Sequence, residues 1–306
     1  MDGQVVARVA ANGGVIGAGE LAHLRCSSDD VQRWVRRGEL VRVRRGAYVD
    51  PAQWARAGVD ERYRLTVLAV ARSRGGAEVV SRHSALALWR LPLWDVDRGL
   101  VVLSSDVQEA ATRAGLRVTP VRGLVAVRRI NGLRVQTVAD AVVTTSSFSM
   151  EGGVVAADAA LRAGSCTLDD LEDARERLLS SLRGRARVRK ALDSVDGSSE
   201  SPGESRTRLL LVALGLPVEP QFEVLDGWGR VMARVDFLVA GRVVVEFDGA
   251  VKYAGADGQA ALVAEKLRED RLREMGFVVI RLTWADLARP HEVRRRIEAA
   301  LRRAAA

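Results

Sequence analysis

The sequence predicts an α/β protein with more than one domain. At 306 residues the chain is long for a single hydrophobic core. Segments with apolar residues every three or four positions, which are typical of helices, are interspersed with short alternating segments that are typical of strands. The polar stretch Asp-Ser-Val-Asp-Gly-Ser-Ser-Glu-Ser, which begins at Asp193, is typical of a boundary between domains. We therefore predict domains over 1–50, 51–192 and 204–306, with a linker over 193–203.

The charge balance favours a polyanionic partner. Lysine and arginine together number 47 against 39 acidic residues, which gives a net charge of +8. Such an excess is typical of proteins that bind nucleic acid, and we predict DNA as the partner. Lysine is rare, because only Lys190, Lys252 and Lys266 interrupt an otherwise all-arginine set of cations. Two of these three lysines follow the carboxylate-rich strands described below.

Several classes of protein are disfavoured by the composition. No apolar run reaches the length of a membrane helix, and the N-terminus has no signal-peptide layout. Cys26 and Cys166 are far apart, so we expect two free thiols in a reducing compartment. With three histidines and no paired-cysteine motif, a zinc site has few ligands. We expect a cytoplasmic, nucleoid-associated protein with no membrane contact and no small-molecule cofactor.

Residues 1–50 predict a winged helix-turn-helix. Helices are expected at 4–11 and 19–25, and a third begins after the capping residues at 27–30 and ends before Gly38. Two alternating segments at 39–43 and 47–49 then form a hairpin. The third helix is basic and suits the major groove, whereas the hairpin tip suits phosphates or the minor groove. The candidate DNA-binding residues are Arg33, Arg36, Arg37, Arg42, Arg44 and Arg45. The alternative is a docking domain in which these arginines are merely solvated.

This region and the next resemble one family. The stretch from Gly14-Val-Ile to Gly-Ala-Tyr48 resembles the N-terminal domain of AbiEi-type antitoxins. The segment Ser81-Arg-His-Ser-Ala, followed by Leu91-Pro, is similar to the middle part of the same proteins. The resemblance implies α/β scaffolding over 51–192 and does not imply a reaction there. His83 has no accompanying nucleophile motif, so we interpret it as a capping or core residue.

Three carboxylates fall on one face of a predicted strand hairpin near the C-terminus. The stretch from Arg234 to Gly249 reads as two strands about a turn at Ala240-Gly241. Asp236, Glu246 and Asp248 share one face, and the alternate positions form an apolar face. Converging carboxylates repel one another unless a cation lies between them, and Mg²⁺ or Mn²⁺ prefers such oxygen ligands. The alternative is an ordinary solvated polar face.

These residues also carry a second resemblance. Asp236, separated by nine residues from Glu246-Phe-Asp-Gly249, looks like the core of PD-(D/E)xK nucleases, and particularly of very-short-patch-repair (Vsr-like) endonucleases. The similarity continues from Glu265 to Trp284, as a charged helix that ends at glycine and leads into a strand. The resemblance implies a restriction-endonuclease-like mixed sheet flanked by helices, over about one third of the chain.

The resemblance also implies a site. Asp236 and Glu246 would hold the metal, with Asp248 and Glu204 completing the shell. Ser-Pro-Gly-Glu204 is equally a helix capping box, so both interpretations of Glu204 stay open. Asp248 stands where the motif usually has lysine, and an aspartate cannot stabilise negative charge.

Two lysines could replace the missing cation of the motif. Lys252 follows the second strand, and Lys266 lies on the next helix. An ion pair between Lys266 and Asp270 is an equally simple account of Lys266. The catalytic set that we predict is Asp236, Glu246, Asp248, Lys252 and Lys266. The sequence thus predicts a Mg²⁺- or Mn²⁺-dependent DNA endonuclease, in repair or defence. The alternatives are a non-cutting transcriptional regulator or type IV antitoxin-like protein, and a protein–protein adaptor.

Overall fold

The computed structural model describes residues 1–121, 124–249 and 258–305. The chain divides into two units, Met1–Val195 and Asp196–Ala306. Helices combine with three sheets, so the predicted α/β class is confirmed. No helix in the described ranges is both long and apolar enough to span a membrane. Cys26 and Cys166 are both free thiols.

The first fifty residues form a three-helix, three-strand arrangement. The strands are all antiparallel, and the third strand along the chain lies in the middle of the sheet, in the order β1-β3-β2. The third helix begins with a reciprocal capping box between Ser27 and Asp30, as the sequence indicated. The elements are α1 Gly3–Ala11, β1 Val15–Gly17, α2 Ala18–His23, α3 Ser28–Arg36, β2 Val41–Arg44 and β3 Ala47–Val49.

The remainder of the first unit is built on a mixed six-stranded sheet. Its strand order is β6-β7-β5-β4-β9-β8, with β5–β7 and β4–β9 parallel and the other pairs antiparallel. The strands are β4 Val79–Val80, β5 Val101–Ser105, β6 Ala111–Arg113, β7 Leu116–Pro120, β8 Val127–Ile130 and β9 Leu133–Gln136. The helices are α4 Pro51–Arg56, α5 Val59–Ser73, α6 Arg82–Leu88, α7 Val138–Ser146, α8 Met150–Arg162, α9 Leu168–Leu178 and α10 Arg185–Leu192.

The first fifty residues have one core of their own and share another. Val5, Val9, Ile16 and Trp34 belong to a small cluster under α1, α2 and α3. Strand residues such as Val49 instead join the large cluster that contains α5 and the six-stranded sheet. Because burial of apolar surface is the main stabilising term, residues 1–50 depend on α5 for part of their stability.

His83 lies in this shared core. Its side chain is buried and stacks on Tyr63, with ring centroids 5.8 Å apart. Its Nε2 lies 3.1 Å from the Leu100 carbonyl oxygen and 3.2 Å from that of Asp97. Burial lowers the pKa of His83 below its usual value, so the ring is neutral at pH 7. These contacts agree with its interpretation as a core residue.

The second unit is a four-stranded sheet between helices. The strand order is β10-β11-β12-β13, in which the first three strands are antiparallel and β13 runs parallel to β12. The parallel pair is joined by a crossover that contains α12, as such a pair requires. The elements are α11 Pro202–Ala213, β10 Val218–Leu225, β11 Val231–Val239, β12 Val243–Phe247, α12 Gly258–Glu274, β13 Val278–Leu282, α13 Trp284–Leu287 and α14 Pro290–Ala305.

Both faces of this sheet are apolar, which differs from the single apolar face expected for the hairpin. Phe237 and Val245 pack in a cluster with α11 and α14, whereas Leu238 and Val244 pack against Leu272 of α12. Val235 also lies in the α12 cluster, so the alternation along β11 is interrupted at position 236. The sequence predicted a buried hairpin with one apolar face, whereas helices cover the central strands on both sides.

Gly203 allows α11 to approach the end of β12. A Cβ atom at this position would lie 1.9 Å from a ring carbon of Phe247. We therefore expect Gly203→Ala to lower the free energy of unfolding by about 1–3 kcal/mol, because overpacking displaces the ring. Chemical denaturation of the full chain measures this effect.

Gly19 is the matched control for that substitution. It is also the second residue of a helix, and no atom lies within 4 Å of a Cβ placed there. Gly19→Ala should be neutral, or stabilising by up to about 1 kcal/mol, because alanine has the higher helix propensity. Equal effects of the two substitutions would contradict the close approach at Gly203.

Candidate functional site

Glu246 lies in an arginine-rich environment. It is buried at 9% exposure on β12, on the face covered by α12. Its Oε1 accepts a hydrogen bond from Nη2 of Arg268 at 2.5 Å, and its Oε2 lies 3.9 Å from Nε of Arg281. The parallel register pairs Glu246 with Arg281 on β13. The charge of Glu246 is therefore balanced by two guanidinium groups of the chain itself.

Two further carboxylates complete this ion-pair network. Glu265 Oε1 lies 3.1 Å from Arg268 Nη2 and 2.5 Å from Arg281 Nη2. Glu269 Oε2 lies 2.9 Å from Arg281 Nη2. Burial by itself lowers the pKa of Arg268, but the hydrogen bonds that its guanidinium donates to Glu265 and Glu246, together with the negative charges of these carboxylates, outweigh this effect and raise it. Arg268 consequently stays charged at any pH at which the protein is folded.

Asp236 and Asp248 lie beside Glu246 at the end of the hairpin. The paired part of the β11–β12 ladder ends at Phe237 and Val245. Just beyond it, Oδ2 of Asp236 accepts a hydrogen bond from the Phe247 amide at 2.8 Å. Asp248 is half-buried, and its amide donates to the Leu282 carbonyl at 2.8 Å. The Asp236 carboxylate thus holds the two strands together where the ladder stops.

Glu204 is engaged as a helix cap. Ser201 Oγ donates to its Oε1 at 2.8 Å, and the Glu200 amide donates to its Oε2 at 2.7 Å. Gln221 Nε2 donates to the same Oε2 at 3.0 Å, which ties α11 to β10. Both carboxylate oxygens therefore have partners in the cap. Of the two open interpretations, the capping role is the one that these contacts support.

The four predicted metal ligands do not form one shell. Within the ranges that the structure describes, no group of three or more His, Cys, Asp or Glu residues is arranged to hold a metal ion. Glu204 belongs to the cap and Glu246 to the arginine network, whereas Asp236 and Asp248 lie at the strand ends. Instead of converging on one cation, the carboxylates of Glu204, Asp236 and Glu246 each contact a different group of the protein.

The structure describes only one of the two candidate lysines. Lys252 lies outside the described residues, and Lys266 is exposed on α12. Arg268, two positions after Lys266, is the residue that reaches Glu246. It lies four residues before the buried Leu272 and so shares the inner face of the helix. That spacing could have identified Arg268 from the sequence, whereas the rarity of lysine pointed to its exposed neighbour.

Removing one member of the Glu246–Arg268 pair should destabilise the second unit. We expect Glu246→Gln to lower the free energy of unfolding by about 2–4 kcal/mol, because it leaves Arg268 and Arg281 less compensated in a partly buried site. Arg268→Met should have a similar effect for the reciprocal reason. In a double-mutant cycle, measured by chemical denaturation, the double variant should lose less than the sum of the two by about 1 kcal/mol or more.

Glu223 provides the control for this cycle. It is an exposed carboxylate on β10 of the same sheet. Glu223→Gln should change stability by no more than about 0.5 kcal/mol. Additive effects of Glu246→Gln and Arg268→Met would mean that the two residues do not stabilise each other.

Three of the predicted DNA-binding arginines are exposed and have no carboxylate partner in the part of the chain that the structure describes. Arg36 lies at the end of α3, and Arg42 and Arg45 lie on and beside β2. None of them has an ion pair among the residues that the structure describes. Arg33 and Arg37 are also exposed, but they lie 3.2 Å from Asp30 and 4.0 Å from Glu39, respectively. Such exposed pairs are weak and can be exchanged for other partners.

Arg44 makes contacts within the chain that the sequence did not predict. Its guanidinium donates to the carbonyls of Ala114 and Gly99, the latter at 2.7 Å. Burial lowers the pKa of Arg44, which agrees with a side chain withdrawn from solvent. A Cβ at Gly115 would lie 2.4 Å from Nη2 of this arginine. Arg44 therefore fastens the β2–β3 hairpin to the loops that flank β5 and β7.

Comparisons with known proteins identify relatives without a described activity. No family model matches the chain. The chain is 29% identical over 273 residues to uncharacterized proteins of two Mycobacterium tuberculosis strains, CDC 1551 / Oshkosh and ATCC 25618 / H37Rv. The match covers 85% of this chain and 90% of each relative. This match is longer than either unit, so the sequence similarity includes residues of both units.

Proposed function

We propose that this protein binds duplex DNA through residues 1–50. The observation that carries the proposal is a set of exposed arginines that have no carboxylate partner among the described residues: Arg36, Arg42 and Arg45, on the third helix and on or beside the hairpin strand. These guanidinium groups can contact phosphates without breaking an existing ion pair. The order of helices and strands, and a sheet with β3 in the centre, agree with a winged helix-turn-helix.

The charge distribution along α3 indicates which part of the helix contacts phosphate. Its first turn carries Asp29 and Asp30, whereas its last turn carries Arg33 and Arg36. The acidic first turn repels phosphates, so we expect the contacts at the end of α3 and on the hairpin. Phosphate contacts fix the position of a protein on the duplex without reading its sequence.

A salt titration tests this proposal. The full chain is mixed with a short duplex in a gel-shift or anisotropy assay at several salt concentrations. Affinity should fall as salt rises, with a logarithmic slope of about −0.9 for each phosphate contacted, and three to five contacts give a slope of about −3 to −4.5. Absence of binding at low salt, or binding that does not depend on salt, would contradict the proposal.

Phosphodiester hydrolysis by the second unit is a second candidate function. The observation that favours it is topological, since a helix, three antiparallel strands, a crossover helix and a parallel strand bring Asp236 and Glu246 onto neighbouring strands. The resemblance to Vsr-like nucleases implies this same arrangement. Mg²⁺ is often bound by only one or two carboxylates together with water and substrate phosphates. Asp236 and Glu246 supply the two carboxylates that such a site needs, although the predicted shell of four residues is not formed.

In this second candidate, arginine replaces the missing lysine of the motif. A bound Mg²⁺ would supply a nucleophilic water and neutralise phosphate charge. Arg268 and Arg281 lie next to Glu246 and offer the positive charge that Asp248 cannot. Arginine suits this role because its planar fork matches the geometry of phosphate oxygens. Without hydrolysis, the second unit would be a non-cutting platform in a regulator or antitoxin-like protein.

A further inference from the structure

A cleft of about 540 Å³ opens beside the six-stranded sheet of the first unit. Its volume lies in the range of sites for small molecules. The residues that matter for its chemistry are Arg82, Arg117, Ser104, Thr119, Gln136 and Phe148. None of them belongs to the proposed DNA-binding or hydrolytic sites, so the cleft has no role in the functions proposed above.

Two positive charges face this cleft without a negative partner. Arg82 and Arg117 have no carboxylate within ion-pair distance among the described residues. Nε of Arg117 is shielded from solvent and has no hydrogen-bond partner within the described ranges. Burial, and secondarily the charge of Arg117, lowers the pKa of Arg82 to about 10, so its guanidinium remains charged at pH 7. Like charges that are partly removed from water repel each other appreciably.

The remaining charged residues of the lining do not correct this imbalance. Arg183 adds a third cation, and Glu109 is an exposed carboxylate at the rim. The described lining thus carries three cations and one anion. An anionic ligand would offset the repulsion between Arg82 and Arg117, and it would give Arg117 Nε the acceptor that it lacks.

The backbone holds Arg82 in an unfavourable conformation. Its φ of 55° lies in the left-handed region, which usually costs about 1–3 kcal/mol for such a residue. The Arg82 amide donates to Oε1 of Gln136 at 2.8 Å, and Thr144 Oγ1 donates to the same oxygen at 3.0 Å. The Arg82 guanidinium lies 3.9 Å from the centre of the Phe148 ring. These contacts fix the position of the guanidinium over the cleft.

The floor of the cleft is a row of buried hydroxyls. Ser104 Oγ lies 3.0 Å from Ser81 Oγ and 3.1 Å from Thr119 Oγ1. Arg117 and Thr119 are two residues apart on β7 and so lie on the same face of the strand. Hydroxyl groups rotate to donate or accept, so this row can provide donors to an anion that the arginines attract.

We propose that this cleft binds the phosphate group of a small phosphorylated molecule, with Arg82 and Arg117 as its principal contacts. Two guanidinium groups match a dianionic phosphate because each can donate two parallel hydrogen bonds to its oxygens. The cleft is larger than a phosphate ion, so an organic portion can enter with it. The half-exposed Phe148 ring offers that portion an apolar surface.

Calorimetry on the full chain tests this proposal. The probes are adenosine 5′-monophosphate, inorganic phosphate and adenosine, at constant ionic strength. We expect the two phosphates to bind and adenosine not to bind. Arg117→Gln should weaken phosphate binding by about tenfold or more, as expected for the loss of one charge-assisted contact. Arg113→Gln removes the same charge from an exposed position on the adjacent strand β6 and should leave binding unchanged.

The relative affinities for the nucleotide and for inorganic phosphate distinguish recognition of an organic portion from binding of phosphate alone. Nucleotide binding that is at least tenfold tighter than phosphate binding would support recognition of an organic portion, and equal affinities would support a site for phosphate alone. Arg117→Lys keeps the charge but loses the fork, so it should weaken binding even if Arg117→Gln fails to fold. Equal losses in Arg113→Gln and Arg117→Gln would overturn the proposal. Binding of a 5′-phosphorylated oligonucleotide, with neither small phosphate bound, would also overturn it.

Discussion

Replacing Arg36, Arg42 and Arg45 together by alanine should weaken DNA binding by about a hundredfold or more at moderate salt. Each of these guanidinium groups is exposed and has no carboxylate partner in the described ranges, so its charge is fully available to a phosphate. Loss of three phosphate contacts should also make the logarithmic salt slope less steep by about 3. Affinity measured by anisotropy at several salt concentrations provides both quantities.

A second triple variant separates local contacts from net charge. Arg113, Arg128 and Arg189 are exposed arginines elsewhere in the first unit, and their replacement by alanine removes the same three charges. This control should lower affinity much less than the first variant, because only nonspecific attraction is reduced. Equal losses would mean that residues 1–50 carry no DNA interface and act as a docking domain.

Arg44→Ala distinguishes a structural arginine from a DNA-contacting one. Because Arg44 donates to the carbonyls of Ala114 and Gly99, its loss leaves these acceptors without their partner. The main expected effect is therefore a lower thermal midpoint, with the salt slope of DNA binding unchanged. The sequence could not show this, because Arg42, Arg44 and Arg45 look equivalent in a basic hairpin.

The elements that the sequence predicted well are those with local signals. The sequence predicted that the capping residues Ser27 and Asp30 mark the start of α3, and in the structure they form the capping box of that helix. The turn at Ala240 and Gly241 is also local, and both residues have the positive φ angles that tight hairpins favour. Strand β1 was not predicted, because three buried residues in a row show no alternation. The six-stranded sheet, with its two-residue strand β4, depends on pairings between distant segments.

The same distinction between local and distant contacts applies to the candidate site. Asp236 and Glu246 lie in one hairpin, so their proximity follows from a short stretch of sequence. The partners of Glu246 come from α12 and β13 and are set by the packing of the helix and by a parallel register. Parallel pairing joins segments separated by a long crossover, and no local pattern fixes it. The sequence therefore identified the carboxylates but not the arginines that balance them.

Magnesium- or manganese-dependent nicking of DNA by the wild-type chain should be abolished by Asp236→Asn. This is the largest effect expected for the second unit, because removal of a metal-holding carboxylate typically costs at least two to three orders of magnitude in rate. Asparagine keeps an oxygen that can accept from the Phe247 amide, so the strand contact at 2.8 Å need not be lost. A plasmid-nicking assay measures the rate, and the thermal midpoint verifies that the variant is folded.

Three further variants test whether the loss of cleavage is specific to the proposed site. Glu223→Gln removes an exposed carboxylate from the same sheet and should cut at the wild-type rate. Arg268→Met should slow cleavage, because it removes the cation next to Glu246, and Lys266→Ala, on the same helix but exposed, should not. If Lys266→Ala slowed cleavage and Arg268→Met did not, Lys266 would be the cation that replaces the motif lysine.

Metal binding in the presence of DNA decides between the two candidate functions of the second unit. A metal that binds the folded state raises the thermal midpoint by mass action, and Asp236→Asn should reduce that rise. Glu246 must exchange its contact with Arg268 before it can hold a cation, so Arg268→Met should strengthen metal binding even while it slows cleavage. If calorimetry detects neither Mg²⁺ nor Mn²⁺ binding with DNA present, and plasmid is not nicked, hydrolysis is rejected. The arginine network around Glu246 would then have a purely stabilising role, within a DNA-binding platform that does not cut.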